Sequence, residues 1–269
     1  MTPVAPASTA PVPGFTDVLA AERRKLLALR LHPIGIVLIL AVSIGVGVFM
    51  TLIVDSSTLA DAQSVSDHAV IFYSSGLTTW AFVYLAANFV AIEFHGIGQS
   101  TFVATARRTR VLAAKFVLIG AGGLVVGLVA SVTTAAATQG MLALQGYELL
   151  DLTDPGLIRA VGVLVGASMA VQGLIAAAFA VLTRSAVAAV VTTGLISLMP
   201  VSLATFLGEW YSEHVPRWLP GAAVESLAGV AAPESYGYLP LPPAATAVIA
   251  WLAVLLTAAV LRLPRMGIR

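Results

Sequence analysis

Six stretches of this 269-residue chain contain no charged residue and no histidine: Ile34–Val54, Ala69–Ile92, Phe116–Thr138, Ala160–Leu182, Ala186–Leu207 and Ala244–Leu261. All 14 Lys and Arg, all 13 Asp and Glu and all four His lie outside them. An α-helix needs ~20 mostly apolar residues to cross the hydrocarbon core of a bilayer, and each stretch meets or approaches that length. Lipid around the six stretches explains the partition. Backbone groups in hydrocarbon must then bond internally, which leaves helices or a closed barrel, and the two-residue alternation of barrel strands is missing. The expected fold class is an all-α membrane protein with six transmembrane helices.

Composition excludes other classes. Charged residues make up 10% of the chain and hydrophobic ones 59%, where a soluble domain is about 25% charged. A net charge of +1 does not suit a nucleic-acid partner. The absence of cysteine removes disulfides and thiolate metal sites. There is no G-x-x-x-x-G-K-[ST], no H-E-x-x-H and no G-x-S-x-G, and the histidines fall on separate loops. No catalytic residue, bound cofactor or metal site is therefore expected in this chain, and it is not expected to be an enzyme.

Charge also orients the spans. With the N-terminus inside, twelve bases face the cytoplasm (Arg23, Arg24, Lys25, Arg30, Arg107, Arg108, Arg110, Lys115, Arg184, Arg262, Arg265 and Arg269) and only Arg159 and Arg217 lie outside. That is a positive-inside pattern, and it puts both termini in the cytoplasm. A bacterial plasma membrane is the expected location. The first apolar stretch is too long for the ~7–15-residue core of a signal peptide, so an uncleaved span is expected.

Between the spans, residues 1–14 are Pro-rich and read as a disordered tail. Residues 15–32, with Thr16 as the N-cap, read as an amphipathic interfacial helix. His32-Pro33 is expected to break it from the first span. Residues 33–269 then form one transmembrane domain. Glu22 sits on the apolar side of the leader helix between Val18 and Leu26, so it calls for a basic partner: Arg107, Arg108 or Lys115. The loop Glu93–Lys115 is the only long cytoplasmic connection between spans. Gly96 to Gly98 should bend it, and Ser100 or Thr101 can cap a helix that runs into the third span. Thr101, Phe102 and Thr105 would share one side of that helix; Arg107, Arg108 and Arg110 would meet acids or phosphates, and Lys115 would mark the interface. Outside, Gly208–Pro243 holds Trp210, Tyr211, Trp218, Tyr236 and Tyr238 and reads as short helices in the outer interface. At depth, Asn88 and Gln172 are candidates for lining a path or bonding a neighbouring helix, and Pro200 should kink the fifth span. Gly123–Gly127 and Gly162–Gly166 have the spacing of close helix contacts.

Two of these segments carry a family likeness. Glu22-Arg-Arg-Lys25-Leu26 with Arg30 matches a leader pattern E-x-x-K-L-x-x-x-R. Ser100-Thr101-Phe102 and Arg107-Arg108-Thr109-Arg110-Val111-Leu112-Ala113-Ala114-Lys115 match the end of a loop pattern that opens on a Glu, here Glu93. The front of the loop departs from the pattern: Glu93 to Gly96 is one residue shorter, Ile97-Gly98 replaces Thr-Ile and Ala106 replaces a proline. In these features the chain resembles the ABC-2 type permease subunits of bacterial, especially actinobacterial, ABC transporters. The resemblance implies a type V exporter-like transmembrane domain and a coupling loop with Glu93, Gly96, Thr101, Phe102, Thr105, Arg107, Arg108, Arg110 and Lys115. It further implies two copies of a separate ATPase subunit that carry ATP and Mg, and a second permease copy or paralogue. Membrane lipid surrounds the assembly, and a lipid-like, drug-like or peptide substrate is exported. Two other readings also lack a P-loop: an ATP-independent secondary transporter, disfavoured by the missing intramembrane charges, and a membrane scaffold or sensor subunit.

Overall fold

The computed structural model describes residues 14–53, 74–94, 108–146, 149 and 151–263, and contains no strand among them. The leader helix α1 spans Phe15–Ala28. Five helices are long and apolar enough to cross a membrane: α2 (Leu31–Ile53), α3 (Ser74–Ala91, continued by a 3₁₀ turn at Ile92–Phe94), α4 (Arg108–Gln145), α5 (Pro155–Thr183) and α10 (Leu241–Arg262). Shorter pieces lie between α5 and α10: α6 (Ala186–Ser197), α7 (Met199–Leu203), α8 (Glu209–His214), a 3₁₀ turn at Pro216–Trp218 and α9 (Pro220–Ala228).

The packing is that of a protein dissolved in hydrocarbon. Large apolar side chains such as Val37, Val125, Val132, Ile249 and Val254 point outward, while Ala176, Ala177 and Ala178 are completely buried. Without a hydrophobic drive between spans, small residues that let backbones approach closely hold the helices together. Gly123 and Gly127 do this on α4. A Cβ on Gly123 would lie 2.8 Å from Ala170 Cα, and one on Gly127 would lie 2.6 Å from the Val165 carbonyl oxygen. Gly166 faces Leu128, whereas nothing approaches Gly162. The pairs 120 with 174, 123 with 170 and 127 with 166 set α4 antiparallel to α5.

At the same contact α5 is not a regular α-helix. Val161–Ala167 is π-helical, and the Ser168 amide reaches back to Val163. Ser131 Oγ of α4 donates to both Gly127 O (2.8 Å) and Val161 O (3.1 Å). A neighbouring hydroxyl thus satisfies a carbonyl at the start of the widened turn, a known way to accommodate such bulges.

Several expectations are corrected. The N-cap of α1 is Gly14, not Thr16; Asp17 Oδ2 accepts from the Gly14 amide at 2.9 Å, the reach-back of an acid at the third helical position. The leader ends at Ala28 instead of residue 32. The break falls at Leu29–Arg30, not at His32-Pro33, because Pro33 sits in the first turn of α2, where its missing N–H costs no intrahelical bond. The uncharged run 116–138 is only part of α4, which has 38 residues, about 57 Å at 1.5 Å per residue and longer than the ~30 Å hydrocarbon core of a bilayer. The stretch 186–207 is not one kinked helix but two helices parted at Leu198. Pro200 has no N–H to offer the carbonyl four residues back, so the ladder stops there.

Gly127→Ala should lower the Tm of the detergent-purified protein, since overpacking costs about 1–3 kcal/mol. Gly122→Ala, where a Cβ meets nothing within 4 Å, should leave it unchanged or slightly raised. Equal melting of the two variants would contradict the close α4–α5 contact.

Candidate functional site: a buried charge cluster at one end of the bundle

The amphipathic pattern of α1 turns Glu22 toward the bundle, where it is 2% exposed, while Arg23 and Arg24 stay on the open side. Val18, Leu26 and Leu29 pack against the core beside it. The eighth residue of α4 is Lys115, whose side chain is completely buried. Its Nζ lies 2.8 Å from Glu22 Oε2, an ion pair without the alignment of a hydrogen bond, and 3.1 Å from Glu93 Oε1. It also donates to the Phe89 carbonyl at 3.0 Å and stands 3.6 Å above the centre of the Phe89 ring. An ammonium has three protons to place, and three oxygens surround this one.

Lys25 closes the cluster from α1. Its Nζ donates to Glu22 Oε1 at 2.8 Å and to Glu93 Oε1 at 3.3 Å. Two carboxylates and two ammoniums therefore cancel in charge while joining α1, the end of α3 and the start of α4. Isolated ions at this depth would carry a desolvation penalty of several kcal/mol each. Burial pushes the Glu22 carboxyl up, but the Lys115 and Lys25 ammoniums outweigh it and hold the carboxyl below its ordinary range. For Lys25, burial pulls down and the two glutamates push up, with a net rise. Glu93 Oε2 is buried without a hydrogen-bond partner among the described residues.

Of the three bases considered for Glu22, Lys115 is in contact with it; Arg107 lies outside the described residues. Lys115, expected from sequence to mark the interface, is the buried centre of the cluster; α4 extends seven residues beyond it, and α1 covers its flank. Arg108 and Arg110 sit half-buried in the first turn of α4, and Arg30 is exposed between α1 and α2. Gly96, Thr101, Phe102, Thr105 and Arg107 lie outside the described residues. Asn88 is half-buried on α3. Gln172 is away from the cluster and accepts from Ser197 Oγ at 2.9 Å, and Pro200 is buried in α7. Sequence reasoning missed that Lys25 and Glu93 belong with Glu22, and that His32 stacks edge-on against Phe89 at 5.5 Å. One signal was present. The chain has only two lysines among its 14 bases, and both are in the cluster. No protein-family model, curated protein or solved structure matches the chain.

Lys115→Met should be among the most destabilising single changes, because removing one partner from a buried pair costs about 3–5 kcal/mol. Adding Glu22→Gln to it should cost less than the two single losses together, and exposed Arg24→Ala should shift Tm little. The pH dependence follows from the Glu22 shift. A carboxyl held below its ordinary pKa contributes stability above pH ~4.5 that is lost as pH falls through the lower folded value. Wild-type Tm should thus drop below pH ~4.5 more steeply than that of Glu22→Gln.

Proposed function

We propose that this chain is the transmembrane permease subunit of an ABC transporter, an ABC-2 type permease driven by a separate ATPase. The observation that carries the reading is where the two resembling segments meet. Glu22 and Lys25 are the acid and base of the leader pattern, and Glu93 and Lys115 are the acid and base that open and close the loop pattern. These four residues form the buried cluster. A subunit driven from its cytoplasmic face needs a loop whose displacement reaches the spans. Here both ends of the 93–115 segment are clamped to the leader helix, and from Arg108 onward α4 continues through 38 residues.

In this reading the chain crosses a bacterial plasma membrane six times, with both termini cytoplasmic. The fifth crossing is the broken α6–α7 segment, completed by the short helices after it. Two ATPase copies supply ATP and Mg, and a second permease copy or paralogue completes the path for an exported amphiphile.

Two experiments test this. In affinity purification from native membranes, a P-loop ATPase should co-purify, and the complex alone should hydrolyse ATP at a rate typical of transporters. Phe102→Ala, or Arg107→Ala with Arg108→Ala, should weaken association more than tenfold at matched membrane levels, since loss of a buried aromatic anchor often costs ~2 kcal/mol or more. Arg184→Ala should matter less. Absence of any ATPase, or full association and transport in all variants, would overturn the reading or its coupling site respectively. Separately, the cysteine-free chain allows single-cysteine labelling in sealed cells. Ser235→Cys should react with an impermeant thiol reagent and Ser100→Cys should not.

A further inference from the structure

One face of α1 holds the charge cluster, and the opposite face has a chemistry of its own. Glu22, Val18, Leu26 and Leu29 turn inward. Arg23, Arg24 and Leu27 are exposed, Leu27 by 62%. Leu27 follows Arg23 by four residues and Arg24 by three, so the three side chains are neighbours on the helix surface. Arg30 comes next, exposed in the break, and then Leu31, the exposed first residue of α2. Leu31, Ile34 and Leu38 are all exposed and recur at helical spacing. An apolar stripe therefore runs from the break along the outer wall of α2, with three guanidiniums at its head.

The charge of this face is uncompensated. Both lysines are spent on the buried glutamates, whereas Arg23, Arg24 and Arg30 have no ion pair or hydrogen bond among the described residues. Asp17, the exposed acid of α1, lies two turns before Arg24, and its Oδ2 accepts from the Gly14 amide. A large apolar side chain between two guanidiniums suits neither a protein core nor water. It suits a helix at the headgroup level, with leucine in the acyl boundary and arginine at the phosphates. The guanidinium fork matches a phosphate, offering two parallel N–H donors to its oxygens.

We propose that this face binds an anionic phospholipid, with its headgroup on Arg23, Arg24 and Arg30 and an acyl chain along Leu31, Ile34 and Leu38. The apolar stripe alone would accept any phospholipid. Selection comes from the arginines, because a zwitterionic headgroup brings its own cation to a site that already has three. An acidic protein partner would satisfy the arginines but leave the stripe on α2 unused, and so would free phosphate. Glu22 and Lys25 stand on the other face of the same helix, so a lipid that holds α1 in place also holds the charge cluster together. The inference needs only a membrane-embedded chain and does not rest on the permease reading.

The test is native mass spectrometry of the full chain, purified alone in a neutral detergent and titrated with lipids of identical acyl chains. One phosphatidylglycerol should be retained at least tenfold more tightly than phosphatidylcholine, since each base beside an anionic headgroup is worth a factor of about five. Arg23→Gln, Arg24→Gln and Arg30→Gln should each weaken phosphatidylglycerol about fivefold, and the triple variant should bind the two lipids alike. Arg262→Gln, at an exposed arginine in the last turn of α10, should leave the preference unchanged. Glycerol 3-phosphate in hundredfold excess should not displace the lipid. Phosphatidylglycerol should raise the Tm of the wild type, as a ligand of the folded state does, and not that of the triple variant. Equal affinity for the two lipids, a wild-type preference in the triple variant, an equal loss in Arg262→Gln, displacement by glycerol 3-phosphate, or the same Tm rise in the triple variant would each overturn the proposal.

Discussion

The buried ammonium of Lys115 constrains everything around it. An unpaired charge in the first turns of a membrane helix is expensive, so two other elements must come to it. The end of α3 brings Glu93 and the Phe89 carbonyl and ring, and α1 brings Glu22 and Lys25. The leader helix has little apolar surface of its own and packs mainly on α4. Its position follows from charge cancellation as much as from Val18, Leu26 and Leu29. A structure organised in this way is stiff where four side chains must move together. That stiffness is what a clamp between a cytoplasmic segment and a set of spans requires.

Away from that end, cohesion has a different origin. Gly123 and Gly127 of α4 meet Ala170 and Gly166 of α5 at backbone distance, and hydroxyls such as Ser43 and Thr134, 2.9 Å apart, bridge α2 to α4. Ser131 supports the π-helical turn of α5, while Pro200 ends α6. The irregular turn of α5 thus falls where a neighbouring hydroxyl meets one of its carbonyls. The short helices between α7 and α10 are docked pieces, not a free loop. Arg159 caps α9, and Trp251 Nε1 donates to Trp218 O at 2.8 Å. The two ends of the bundle consequently differ in chemistry. One holds a charge-neutralised cluster; the other is a cleft lined by Thr79, Trp80, Gln172, Ser197 and Glu225.

Much of this was legible in the residues. Runs of uncharged apolar sequence announce membrane helices because lipid removes every alternative for the backbone, and α2, α4, α5 and α10 fall where the runs are. Glu22 announced a basic partner because an acid at i±4 to Val18 and Leu26 faces inward. What was not legible was which base would answer. Arg107, Arg108 and Lys115 are equivalent on a list of charges, and only helical phase and the tilt of α1 choose between them. Glu93 was read as the first residue of a loop, since nothing local tells a loop acid from one folded back under a leader helix.

The sequence by itself determined the class of molecule, the helical periodicity, the ends rich in basic residues and the place where proline stops a helix. Each depends on the solvent or on neighbours within a few residues. Tertiary structure alone decided that residues 22, 25, 93 and 115 form one cluster and that α4 and α5 touch through glycine. These are contacts between segments far apart in the chain, and their energies depend on distances of a few ångströms that only packing sets.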